Sequence, residues 1–151
     1  MPSQTSSVNQ SRRLLLVLPL GAGALYLLGQ SRSRKPRDFD VKEVLLEEAR
    51  ALIAAGALVL DVRERVAYET RHIAGAMLAP VTVLSAAIPL SLEHARTKPI
   101  VVYCGEGTAL GPEGTYLLNK AGFAQAVNLK SGIQGWAAAG LPIEQGPGKQ
   151  A

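Results

Sequence analysis

At 151 residues the chain has room for one ordinary domain. Its formal charge of +4 belongs to one end, because residues 1–37 hold six basic residues (Arg12, Arg13, Arg32, Arg34, Lys35, Arg37) and no acidic one. The rest carries ten basic against twelve acidic residues, net −2, which excludes the cationic face that nucleic acid requires. A single cysteine excludes an intrachain disulfide, and one Cys with two His, His72 and His94, argues against a dedicated metal site.

Residues 1–13 are polar and basic and read as disordered. Leu14 to Leu28 is an apolar run broken only by Pro19, Gly21 and Gly23. With Gly29 and Gln30 it gives a hydrophobic membrane segment, 14–30, whose apolar part falls short of the roughly 20 residues of a full spanning helix. A cleaved signal peptide, with an apolar core of about 7–15 residues, is the alternative. The neighbourhood of Gly29 offers no convincing small-x-small cleavage site, which favours an uncleaved single-pass anchor. Four cations follow the run and two precede it, placing the C-terminal domain on the cytoplasmic side by the positive-inside tendency. Ser11-Arg12-Arg13-Leu14 faintly resembles a twin-arginine export signal, the opposite orientation. Residues 31–39 read as a basic linker suited to anionic head groups.

A domain over 40–145 follows. Asp40 with Glu43 makes a capping-box pattern, and Val41, Val44, Leu45, Ala49, Leu52 and Ile53 recur at helical spacing up to a stop at Gly56. Leu58-Val59-Leu60 is the short apolar run of a strand buried on both faces, ending in Asp61-Val62-Arg63. Glu64 to Thr70 suits one or two helical turns. His72 to Pro80 suits a short strand with a turn at Gly75, and Val81 to Lys98 two short helices split near Pro89. Ile100-Val101-Val102-Tyr103 is a further strand leading into Cys104. Pro112 and Glu113 fit the first turn of a helix that stops at Gly122. Ala126 to Leu129 reads as a strand, Ser131 to Trp136 opens a last helix ended by Gly140-Leu141-Pro142, and 146–151 reads as a flexible tail. Strands alternating with helices indicate a parallel α/β sheet, in which ligands bind beyond the carboxyl ends of the strands. Asp61 and Cys104 both lie at such ends.

Cys104 stands at a strand–loop–helix junction, where backbone N–H groups converge on an anion. Gly105 and Gly107 allow loop amides to turn inward, whereas Glu106 adds a negative charge. The structural alternative is an inert, small core cysteine.

Four stretches together resemble the single-domain rhodaneses: Leu58 to Glu64, His72 to Ala76, Ile100 to Cys104, and Gly132-Ile133-Gln134-Gly135-Trp136 with Gly140-Leu141-Pro142. The resemblance implies about five parallel strands with helices on both faces, here preceded by an N-terminal hydrophobic helix. It implies that Cys104 accepts a sulfane sulfur as a persulfide and passes it to a thiol or other nucleophile, with no cofactor. The partners implied are a small sulfur donor or a protein persulfide or thiol acceptor. Gly105, Glu106, Gly107, Thr108, Ala109 and Leu110 would form the substrate-binding loop, with Asp61 and Arg63 in supporting roles.

The loop departs from the family pattern. Rhodaneses commonly place arginine directly after the cysteine and again at the far side of the loop. Here those neighbourhoods hold Gly105 and Thr108, Ala109 and Leu110. The spacing from Cys104 to Gly122-Phe123 is also one residue longer. Without arginine, a dianion such as thiosulfate loses charge-assisted contacts worth about 1.5–3 kcal/mol each, so weak thiosulfate transfer is expected. A catalytically silent binding module is the alternative. A cysteine phosphatase is disfavoured, because its Cys-x5-Arg pattern would need arginine where Leu110 stands. Asp61 also fits a turn cap, with Arg63 paired to Glu64 or Glu69. His72 fits a backbone hydrogen bond in its turn, and Trp136 core packing.

Overall fold

The computed structural model describes residues 38–151. The expected disordered start 1–13, the membrane segment 14–30 with its N-terminal hydrophobic helix, and linker residues 31–37 lie outside them. In chain order the elements are β1 (Glu43–Val44), α1 (Leu46–Ala54), β2 (Leu58–Asp61), α2 (Arg65–Thr70), β3 (His72–Ile73) and β4 (Met77–Leu78). They continue with α3 (Val81–Ala86), a 3-10 helix (Leu90–Ala95), β5 (Ile100–Tyr103), α4 (Leu110–Lys120), β6 (Ala126–Leu129), α5 (Gly132–Ala138), β7 (Ile143–Glu144) and β8 (Lys149–Gln150). Among the described residues no helix is long and apolar enough to cross a membrane.

The central strand is β5, all four of whose residues are buried. Successive side chains of a strand face opposite ways, and β5 divides accordingly. Val101 and Tyr103 join Ala49, Ile133 and Trp136 on the face covered by α1 and α5. Ile100, Val102 and Cys104 join Leu84, Leu92, Leu118 and Phe123 on the face covered by α3, the 3-10 helix and α4. An apolar run without alternation is what burial on both faces requires.

β5 pairs with β2 in the register Leu58↔Ile100 to Asp61↔Tyr103, and with β6 in the register Ile100↔Ala126 to Val102↔Asn128. The sheet order is β1-β6-β5-β2-β4-β8, with every pair parallel. Asp61, Cys104 and Lys130 therefore emerge at one edge, where the loops gather.

Six strands form this sheet, against about five expected, and two of them lie where the sequence predicts a helix and a flexible tail. One addition replaces the start of the predicted first helix. Glu43–Val44 pairs with β6, and α1 begins only at Leu46, with Leu45 at its cap and no side-chain capping bond. The reason is the outer edge of β6. Asn128 N–H donates to Lys42 O at 2.9 Å and Lys130 N–H to Val44 O at 3.1 Å, satisfying groups that a helix would leave without partners. Val44 is buried and Leu45 is 68% exposed, an alternation of period two.

The other addition is at the C-terminus. Of the expected flexible tail 146–151, Lys149–Gln150 forms β8 beside β4, and Ala151 N–H donates to Leu78 O at 3.0 Å. The stretch 72–80 divides at Gly75, with β3 antiparallel to β7 and β4 in the main sheet.

Candidate active site

Cys104 follows the last residue of β5 and is 4% exposed. Its Sγ accepts a hydrogen bond from the Gly107 N–H at 3.2 Å. That contact requires glycine: Gly107 has φ +80°, and a Cβ there would lie 2.2 Å from the Lys130 carbonyl oxygen. The sulfur also rests on the first turn of α4, since a Cβ on Gly111 would be 3.4 Å from Sγ. The amino end of that eleven-residue helix is electropositive and favours an anion beside it. Pro112 stands in the same turn and supplies no N–H.

Two further elements hold the loop. From α5, Ile133 N–H donates to Cys104 O at 2.9 Å and Gln134 N–H to Gly105 O at 3.1 Å. From β6, Asn128 Nδ2 donates to Gly107 O at 2.8 Å. Among the described residues the N–H groups of Glu106, Thr108 and Ala109, all on exposed residues, donate to no protein acceptor. They are free to meet an anion or solvent.

The mouth is a shallow cavity of about 280 Å³ lined by Cys104, Gly105, Glu106, Thr108, Ala109, Leu110 and Gln134. Five of the six predicted loop residues thus surround the cysteine, and Gly107 lies buried beneath. No basic side chain lines this opening. Glu106 gives it a negative charge and meets Gln134 Nε2 at 3.5 Å, while Leu110 adds 39% exposed apolar surface. A larger groove of about 520 Å³ between α1 and Trp136 holds no nucleophile.

Asp61 and Arg63 do not line the mouth. Asp61 is fully buried, and Arg63 clamps it: Nη2–Oδ2 is 2.7 Å, Nε–Oδ1 3.0 Å, and the Arg63 backbone N–H reaches Oδ1 at 3.0 Å. Arg63 Nη2 also donates to Arg71 O at 2.7 Å. Burial opposes the Arg63 charge, but the hydrogen bonds and charge of Asp61 prevail and hold its pKa above the ordinary value. The Tyr103 phenol is pushed well up, first by burial and then by the Asp61 charge, and its oxygen accepts the Ile73 N–H at 3.0 Å. This cluster fastens the end of β2 to β5 and β3.

The expected pairing of Arg63 with Glu64 or Glu69 is therefore corrected to Asp61, a partner two residues away whose carboxylate is buried. Glu64 accepts from Thr82 Oγ1 at 3.2 Å, and Glu69 meets Arg65 at 3.5 Å. His72 Nδ1 lies 2.9 Å from Tyr68 O, and Trp136 Nε1 donates to Pro142 O at 2.9 Å. Among the described residues no three metal-ligating side chains gather.

Sequence reasoning passed over Asn128. Its signal was available, since an asparagine inside Ala-Val-Asn-Leu, an otherwise apolar strand, needs hydrogen-bond partners when buried.

Comparison with known proteins gives three kinds of match. The rhodanese-like domain family matches residues 45–139. The "uncharacterized protein YibN" of Escherichia coli (strain K12) is 37% identical over 107 residues, covering 70% of this chain and 74% of that protein. The thiosulfate sulfurtransferase GlpE of Stutzerimonas stutzeri is 30% identical over 98 residues, 64% of this chain and 85% of GlpE. Among solved structures, the Alr3790 protein of Anabaena superposes with a TM-score of 0.60 at 32% identity, covering 68% of this chain and 80% of that one.

Proposed function

The chain belongs to the rhodanese-like family, and on that premise we propose that it is a sulfurtransferase or persulfide carrier working through Cys104. One observation carries the proposal: the sulfur ends a buried parallel strand, accepts the Gly107 N–H at 3.2 Å and sits at the amino end of α4. A thiolate is the form that attacks, and these are the groups that stabilise one. The Cys104 thiolate attacks the outer, sulfane sulfur of a donor. A new S–S bond forms, the donor's S–S bond breaks, and its electron pair leaves on the donor thiolate, or on sulfite if the donor is thiosulfate. An acceptor thiolate then attacks the outer sulfur of the Cys104 persulfide and restores the Cys104 thiolate.

The mouth favours neutral donors or thiols over small dianions. It offers no cation, and Glu106 repels negative charge. Thiosulfate is accordingly a poor donor and a small-molecule persulfide a better one. The sulfurtransferase GlpE and the rhodanese-like relatives support the reaction class; the residues of this loop support the donor preference.

The same proposal tethers the domain to a membrane through residues 14–30, with the domain on the cytoplasmic side. Support for this part is the apolar run and its flanking arginines. A C-terminal reporter fusion and alkaline extraction of membranes test it: release into the soluble fraction refutes the tether, and a periplasm-active reporter refutes the orientation.

The chemistry is tested by incubating the full chain with thiosulfate, and separately with cysteamine persulfide, whose ammonium offsets its persulfide charge, then weighing it intact. A gain of one sulfur atom, absent in Cys104→Ser and greater with the persulfide, is expected. If neither donor labels the protein while a thiol reagent does, the transfer proposal fails and a silent binding module replaces it.

A further inference from the structure

One buried side chain has an end left over. Asn128 of β6 is fully buried. Its Nδ2 donates to Gly107 O at 2.8 Å and to Glu43 Oε1 at 3.2 Å. These partners fix which way the amide lies, because a flipped amide would set its oxygen against a carbonyl and a carboxylate. Oδ1 therefore faces the first turn of α4, and there it has no hydrogen-bond partner. A Cβ on Gly111 would lie 2.3 Å from Asn128 Oδ1 and 3.4 Å from Cys104 Sγ. The unpaired acceptor and the sulfur thus converge on the same side of Gly111.

We propose that Asn128 is a positioning residue for the Cys104 sulfur, an inference that rests on Cys104 being the nucleophile proposed above. The donor end of the amide holds Gly107, whose own N–H is the hydrogen bond on Sγ. That bond stabilises a negative sulfur. The acceptor end has no partner and bonds to neither form of the sulfur. The amide therefore acts on Sγ through Gly107. Gly111 is part of the device, because any side chain there would displace Oδ1. The charged group on the amide is Glu43 from β1, with Lys130 Nζ 3.5 Å from Glu43 Oε2; Glu106 stands on the Gly107 loop and Glu113 in the first turn of α4. None of them bonds to Sγ, so the neutral amide is the side chain that sets the contact.

Two substitutions of similar shape separate this role from packing. Asn128→Leu removes both ends of the amide. Asn128→Asp keeps an acceptor but sets a second oxygen against Gly107 O and Glu43. Alkylation of Cys104 by iodoacetamide in the full chain is followed against pH and scaled to its alkaline plateau, so that a change in exposure of the sulfur cancels. We expect the Asn128→Leu profile to move up by about one pH unit, a roughly tenfold slower relative rate at neutral pH. Asn128→Asp should move it further. If both variants unfold at lower denaturant yet keep the wild-type alkylation profile, Asn128 is only a packing residue and the proposal fails.

A measurement on the unaltered chain covers the case in which neither variant folds. In ¹⁵N spectra the Gly107 amide and the Asn128 side-chain NH₂ should shift with pH at the midpoint of alkylation. Asn128 signals that stay still while Gly107 moves overturn the proposal. Alkylation reads the thiolate without any sulfur transfer, so this result and the persulfide-labelling result fail independently.

Discussion

Gly107→Ala puts one methyl group where the loop has no space for it. At φ +80° an L-residue costs about 1–2 kcal/mol. The added Cβ would also meet Lys130 O at 2.2 Å, Lys130 C at 2.5 Å and Leu129 O at 2.6 Å. These are backbone atoms at the end of β6, held by β1 and β5, so the loop has to move instead. In moving it loses the Gly107 N–H bond to Sγ and the Asn128 bond to Gly107 O, each worth about 1–3 kcal/mol. Unfolding in urea, followed by Trp136 fluorescence, should show a loss of roughly 3–8 kcal/mol, a large part of the 5–15 kcal/mol typical of a domain. The lost bond to the sulfur should slow Cys104 roughly tenfold to a hundredfold at neutral pH, relative to its own alkaline plateau. Iodoacetamide kinetics and persulfide labelling both read this. A variant within twofold of wild type in both rates, and within about 1 kcal/mol in stability, would show that the loop does not hold the sulfur as described.

Three further outcomes are expected. Gly105 has nothing within 4 Å of where a Cβ would sit and lines the mouth. Gly105→Arg should therefore fold normally and raise the rate of thiosulfate labelling about tenfold or more by supplying a charge-assisted contact; an unchanged rate would mean that charge is not what limits thiosulfate. Asp61→Asn should destabilise the domain by about 3–5 kcal/mol, because it strands the buried Arg63 guanidinium. The combined Asp61→Leu, Arg63→Met chain should be more stable than Asp61→Asn; denaturant curves showing the reverse order would refute the pairing argument. Finally, Tyr103 keeps its proton in the folded state, where burial raises its pKa, while the unfolded phenol ionises near its ordinary value of about 10. The unfolded state then binds fewer protons, so stability present below about pH 10 is lost as pH rises from there toward the folded value, by about 1.4 kcal/mol per pH unit. Tyr103→Phe should flatten that part of the stability curve, and an unchanged slope would assign the alkaline loss elsewhere.

For the reaction, the loop separates two properties that arginine would combine. Backbone amides and the α4 terminus favour a negative sulfur whatever the donor is. In the proposed reaction, selection of the donor would fall to the side chains at the mouth, Glu106, Thr108, Ala109, Leu110 and Gln134. A mouth without cations would keep the first property and alter the second.

The amino-acid sequence determined those features that depend on neighbours in the chain. Leu58-Val59-Leu60 and Ile100-Val101-Val102-Tyr103 are too apolar for anything but strands buried on both faces. The turn at Gly75 and the helix stop at Gly122 follow from their positive φ. Together with the spacing of its motifs this placed Cys104 at the carboxyl edge of a parallel sheet, before a helix. The tertiary structure decided whatever depends on partners far away in sequence. Glu43–Val44 leaves its helical pattern because β6 needs an edge partner, and Lys149–Gln150 is ordered because β4 does. Arg63 turns to Asp61 because that carboxylate is buried with the end of β2. Asn128 reaches Gly107 across 21 positions and Glu43 across 85. Its role at the sulfur exists only once three strands and a loop are assembled, because hydrogen bonds of that reach leave no periodicity in the chain.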